Sequence, residues 1–125
     1  MIFLRKGEVL ELHRRLIEEY GGSHGLLNEP ALESALVAPE NRNYYEQADL
    51  IGCAAAYAYH FTQAHAFVDG DKRVGAAAME TFVVANGGGL AATDDEIYEC
   101  IMSIANGSMS RDDVERWLRQ RVRLE

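Results

Sequence analysis

The stretch from Ala48 to about Ala64 constrains the fold most, because it is rich in alanine and nearly free of polar breaks. A helix built from such residues has no wide polar face, so other elements must cover it on most sides. The rest of the chain offers helices to do so. Val9, Leu12, Leu16, Ile17 and Tyr20 recur at three-and-four spacing and predict an amphipathic helix that Gly21-Gly22 stops. A short second helix is expected near Asn28-Glu29-Pro30, with Pro30 in the first turn, where its missing N–H costs nothing. It carries Leu32, Ala35 and Leu36 and is expected to end at Pro39, which leaves 40–47 as an exposed irregular connection. A further helix from about Asp71 to Ala85 turns Val74, Ala77, Ala78, Thr81 and Phe82 inward, and Asn86 with Gly87-Gly88-Gly89 reads as its stop. Thr93 followed by Glu96 is a capping-box pattern that opens a helix carrying Ile97, Ile101 and Ile104. Ser110-Arg111-Asp112-Asp113 opens the last helix, with Val114, Trp117 and Leu118 facing inward. No alternating strand pattern exceeds a few residues, and there is no repeat or low-complexity tract. The expected architecture is all-α: a single domain over residues 1–125, folded as one bundle of about six helices.

Composition narrows the function classes. An apolar share of 48% excludes a disordered chain. Twenty acidic against twelve basic residues give a net charge of -8, which repels a polyphosphate backbone. Neither a general nucleic-acid binder nor an anionic-membrane binder is expected, although a local basic site remains compatible. The longest apolar stretch, around Leu50 to Tyr59, is far short of a membrane span. Met1 to Lys6 is too short an apolar run for a signal peptide and no small-residue cleavage site follows, so a cytoplasmic protein is expected. Cys53 and Cys100 lack any CxxC or Cys/His spacing and read as buried free thiols.

The chemistry concentrates in His65-Ala66-Phe67-Val68-Asp69-Gly70-Asp71-Lys72-Arg73. Here one helix ends, Gly70 permits a tight turn, and a new helix begins at Asp71. Free N–H groups of that first turn, together with the helix dipole, make a ready site for phosphate oxygens. Lys72 and Arg73 lie where acids are normally favoured, an arrangement that costs stability unless an anion is to be bound. Asp69 stands beside this nest and suits Mg²⁺, which brings phosphate partners of its own. His65 is one short loop away, suited to taking a proton from an incoming hydroxyl. Asp71 is also a good helix N-cap and has that structural reading beside any functional one. Elsewhere, His60 reads as a core or hydrogen-bonded residue. A metal set of His60, His65 and Asp69 is a minor alternative without the one-turn separation of known helical ligand pairs. His13 and His24 read as surface residues, and Tyr57 and Tyr59 as core.

The pattern of His65, Phe67, Asp69, Gly70, Lys72 and Arg73 resembles the signature loop of the Fic/Doc family. Leu16 to Gly22, Leu32 to Leu36 and Ser110 to Leu118 are similar to death-on-curing (Doc) toxins, so the resemblance covers nearly the whole chain. It implies a Fic/Doc-like bundle with the active loop between two central helices. Family members with glycine before the final arginine generally transfer a nucleoside monophosphate to a hydroxyl, whereas Doc toxins have lysine there and act as kinases. Lys72 therefore implies an ATP-dependent phosphotransferase, with a threonine of elongation factor Tu as its target. By the same resemblance, His65 would deprotonate the target hydroxyl and Asp69 would ligate Mg²⁺ or orient the nucleophile. Lys72 and Arg73, with Gly70 and Asp71 in the nucleotide-binding turn, would hold the ATP phosphates and stabilise charge during transfer. That role would make Arg73 catalytic beside His65 and Asp69, and Phe67 would anchor the loop. Residues 40–47 lie where relatives hold the target segment. A toxin of this type implies a cognate antitoxin with a disordered segment that folds on binding. The chain departs from the family at Asp71, where asparagine is usual. Nucleotidyl transfer (AMPylation), or a binding protein weakened in catalysis by Asp71, are the alternatives.

Overall fold

Helix α3 (Leu50–Ala64) runs through the middle of the computed structural model, which describes all 125 residues. Ile51 through Ala58 are buried without interruption. Their small side chains let neighbours approach closely from several directions, as expected for a tightly packed interior. Those neighbours are α2 (Glu29–Glu46), α4 (Asp71–Ala85), α5 (Asp94–Ala105) and α6 (Arg111–Arg119), while α1 (Lys6–Tyr20) packs on α4. The six helices bear out the all-α architecture. Tyr57, Phe61, Met79, Phe82, Ile104 and Leu118 are fully enclosed where the helices meet. Each such side chain stabilises the fold by about 1.5–3 kcal/mol relative to exposure. The Tyr57 hydroxyl also accepts the Leu4 N–H at 2.9 Å, which fastens the N-terminal segment onto α3.

The helix starts follow their caps. Asn28, Asp49, Thr93 and Ser110 each accept a first-turn N–H, and Glu96 and Asp113 complete reciprocal boxes at α5 and α6. Pro30 sits in the first turn of α2 as expected.

Two expectations need correction. Helix α2 does not end at Pro39; it continues to Glu46, so 40–47 is not an irregular connection. Proline removes one ladder bond there, but Pro39 is fully buried and Arg42, one turn on, is buried as well. Tertiary packing of the second half thus outweighs the local break. Helix α2 then closes at Gln47, in the left-handed region at φ 53°, and the Ala48 N–H donates to the Arg42 carbonyl at 3.2 Å.

The other correction concerns Gly87-Gly88-Gly89. Asn86 and Gly87, the latter at φ 85°, do stop α4. The following residues form a strand, β1 (Gly88–Leu90), antiparallel to β2 (Val122–Leu124), with Gly89 opposite Arg123. Each strand has only three residues, too few to show an alternating pattern. Beside this ribbon the Asn86 side chain bonds the Ile2 backbone in both directions, accepting its N–H at 2.7 Å and donating to its carbonyl at 2.9 Å. Cys53 and Cys100 are free and buried. No helix is long and apolar enough to cross a membrane.

Candidate active site

Helix α3 ends at Ala64, and His65 follows in the left-handed conformation (φ 50°, ψ 40°), which for a residue with a β-carbon stores strain. That kink exposes the imidazole and sends the chain back across the bundle surface. The next residues are held from both sides. The Ala66 carbonyl accepts N–H groups from Leu27 (2.8 Å) and Asn28 (3.0 Å), and the Val68 N–H donates to Gly25 (3.0 Å). Phe67 is buried, as expected of an anchor, and its N–H donates to the Asp71 carboxylate at 3.1 Å. Asp71 therefore closes the turn with its side chain, while Gly70 (φ 85°) occupies the cap position of α4 without a side chain to offer.

Asp69 is fixed through two groups. Its Oδ2 accepts the Ser23 N–H at 3.2 Å, and its carbonyl lies 2.7 Å from His13 Nε2. The approach of the Gly22 turn to this carboxylate requires glycine, since a Cβ there would stand 2.5 Å from Asp69 Oδ2. From Asp69 through Arg73, five consecutive backbone N–H groups have no partner within the protein. The first bond of α4 is Val74 to the Gly70 carbonyl. These are the free donors expected from the sequence, at the positive end of a fifteen-residue helix.

The two cations diverge. Lys72 is exposed and forms no ion pair. Arg73 reaches the C-terminal end of α1, where Nη1 donates to the carbonyls of Leu16 (3.2 Å) and Gly21 (2.9 Å). It thereby answers the Gly21 carbonyl just past α1 and shares the Leu16 carbonyl within the last turn of that helix. Its Nε and Nη2 make no bond within the protein. The structure thus gathers His65, Asp69, Gly70, Asp71 and Lys72 in one loop and gives Arg73 a second duty at α1.

The donor set suits Mg²⁺ held together with phosphate oxygens. Asp69 Oδ1 has no partner, and Mg²⁺ commonly takes one or two carboxylates with the remaining positions filled by phosphate and water. A closed protein cage is absent, for no three His, Cys, Asp or Glu side chains cluster. The minor alternative of His60, His65 and Asp69 as a metal set is accordingly not formed. His60 is mostly enclosed on α3 with Nε2 unpartnered. Burial, with Arg111 and Arg42 nearby, holds its pKa below the ordinary imidazole value.

Sequence reasoning missed His13. Read as a surface residue, it is only 5% exposed and lies flat on Phe67, with ring centroids 3.9 Å apart and planes 11° from parallel. A signal was present: Val9, His13 and Ile17 are spaced by four and share the buried face of α1. His24 is exposed as expected, Tyr57 is core, and Tyr59 is half-buried.

The Fic/DOC family model matches residues 3–83, from the N-terminal segment through the loop and most of α4. Members of that family are typically transferases acting on protein hydroxyls, and they generally bind a nucleotide with magnesium. No curated protein matches the chain. With the signature loop inside a match that spans about two-thirds of its length, the chain belongs to the Fic/DOC family.

Proposed function

We propose that the protein is the toxin of a toxin–antitoxin pair and transfers the γ-phosphate of ATP to a threonine of elongation factor Tu, blocking translation. The observation that carries a phosphate-handling role is the row of five unpaired N–H groups from Asp69 to Arg73 beside the free ammonium of Lys72. Such donors, fixed before a ligand arrives, stabilise phosphate charge without reorganising. Lysine at position 72, where nucleotidyl-transferring relatives have glycine, favours the kinase reading.

In the proposed reaction the His65 imidazole takes the proton of the threonine hydroxyl. The threonine oxygen bonds to the γ-phosphorus, the bond from that phosphorus to the β,γ-bridging oxygen breaks, and ADP leaves. The N–H groups of residues 69–73 and the Lys72 ammonium hold the phosphate oxygens in line, which is most of what phosphoryl transfer demands of a protein. Arg73 offers Nε and Nη2 to the same oxygens while Nη1 keeps α1 and α4 together. Asp69 would hold Mg²⁺ through Oδ1, and the ion would neutralise phosphate charge during transfer. A cognate antitoxin whose disordered segment folds on binding completes the proposal.

Mass spectrometry after incubation with ATP, Mg²⁺ and elongation factor Tu tests this reading. A phosphate-sized increment on a threonine, lost with His65→Ala, is the expected result. A nucleotide-sized increment would replace the kinase by a nucleotidyl transferase. No modification of any protein in a matched cell extract would leave a binding protein.

A further inference from the structure

The loop that holds the free N–H groups is moulded by α1, far away in the sequence. Ile17 Cδ1 would stand 3.2 Å from a Cβ on Gly70, so this side chain forms a wall against the turn. His13 does more than fill space. Its partner at Asp69 is a carbonyl, which can only accept, so Nε2 must carry the proton of this 2.7 Å bond. The carbonyl of Asp69 and the N–H of Gly70 belong to one trans peptide plane and point in opposite directions. Holding that carbonyl toward α1 therefore turns the Gly70 N–H away from α1, where it remains unpaired in the nest. The peptide precedes a glycine at φ 85°, and glycine offers little steric resistance to rotation of the plane. Stacking on Phe67 fixes the imidazole, so that its N–H has one direction to donate.

We infer that His13 is a positioning residue of the transfer loop: it locks the Asp69–Gly70 peptide in the orientation that presents the Gly70 N–H to a phosphate oxygen. His13 touches no substrate in this role and acts through Asp69 and Phe67. Its kinetic consequence rests on the transfer function proposed above, whereas its effect on the loop does not.

Two substitutions separate the ring from its donor. His13→Phe keeps a flat ring against Phe67 and removes the N–H; His13→Gln replaces the donor with an amide near the position of Nε2. In long-range ¹H–¹⁵N spectra of the wild-type chain without nucleotide, His13 is expected as the Nε2-protonated form. In His13→Phe the Gly70 and Ser23 amide resonances are expected to shift, and hydrogen exchange at the bonded loop amides of Ser23, Phe67 and Val68 to rise about tenfold, the scale of one lost hydrogen bond. Exchange at Tyr57 and Phe82 should stay unchanged, and His13→Gln should restore the loop. With ATP and target protein, His13→Phe should lower kcat by about tenfold with most of it recovered in His13→Gln, because displaced donors act on the transition state. An Nδ1-protonated His13, or a His13→Phe loop indistinguishable from wild type, would overturn the inference. If His13→Phe fails to fold, the tautomer and the His13→Gln exchange pattern still decide it. Wild-type protein that neither binds ATP nor modifies any target would sink the transfer function alone and leave the Gly70 signature to be read.

Discussion

Gly75 on α4 faces Thr62 on α3 so closely that a Cβ on the glycine would stand 2.3 Å from the Thr62 hydroxyl oxygen. The Ala58 carbonyl and the Thr62 backbone nitrogen lie just beyond, at 3.2 and 3.3 Å. The two central helices, which carry His65 and the nest at their facing ends, thus owe their separation to a missing side chain. Gly75→Ala is expected to cost about 1–3 kcal/mol despite its better helix propensity, because overpacking forces the helices apart. Thr62→Ala in the same chain should recover only part, since backbone atoms also crowd the site. Urea unfolding of the two single variants and the double variant measures this non-additivity.

Asp71→Asn tests the departure from the family pattern. The amide oxygen can still accept the Phe67 N–H that Asp71 Oδ1 now accepts, so stability should change by less than about 1 kcal/mol. The other carboxylate oxygen becomes a donor beside the nest and a negative charge disappears. Affinity for ATP with Mg²⁺, measured by calorimetry, should rise about threefold to tenfold, or about 0.7–1.4 kcal/mol. Asp71→Ala, which leaves the Phe67 N–H without an acceptor, should instead destabilise the loop. Unchanged ATP affinity in Asp71→Asn would show that the Asp71 charge is not felt by the nucleotide.

Arg42 illustrates the asymmetry between removing an ion pair and breaking it. It is buried on α2, donates from Nη2 to Glu115 at 2.8 Å and to Asp112 at 3.5 Å, and keeps Nε and Nη1 buried without partners. Glu115→Ala strands most of that charge and should cost about 2–4 kcal/mol. Arg42→Met combined with Glu115→Leu removes both charges and the orphaned donors together and should be neutral, or stabilising by about 1–2 kcal/mol. Denaturant midpoints at constant m-value distinguish the two.

The acid limb of stability should carry the mark of Asp49. Both of its carboxylate oxygens meet the Arg119 guanidinium, at 2.8 and 3.1 Å, and Oδ1 also caps α3 through Gly52. The guanidinium holds the carboxyl below its usual value of 3.8. A depressed folded value contributes stability that is complete above the unfolded value and fades as pH falls through the folded one. Asp49→Asn keeps the cap and deletes the charge. Its deficit should be constant from neutrality to about pH 5 and shrink below about pH 4. The pair is half-exposed, so the effect should stay under about 1 kcal/mol. A deficit that persists at pH 2 would assign it to packing.

What could be read from the sequence was what neighbours in the chain decide. Thr93, Ser110 and Asn28 announce their helices because a cap acts on N–H groups two or three residues away. The same locality misleads at Pro39, where a rule about one lost bond competes with burial of Arg42 and of Pro39 itself. The loop was legible as a nest because its donors and cations are contiguous. Its mould was not: His13 meets Asp69 across 56 residues, and Arg73 meets Gly21 across 52. The β1–β2 ribbon joins segments that are equally remote and individually too short to show a period.

The contacts of His13, Ile17, Leu16 and Gly21 with residues 69–73 bear on how portable the signature is. Grafting residues 65–73 between two helices of an unrelated scaffold would import every side chain of the motif and leave the casting behind. The transplantable unit is the loop together with α1 and the Gly21-Gly22-Ser23 turn, two segments that any swap among homologues would have to exchange as a pair.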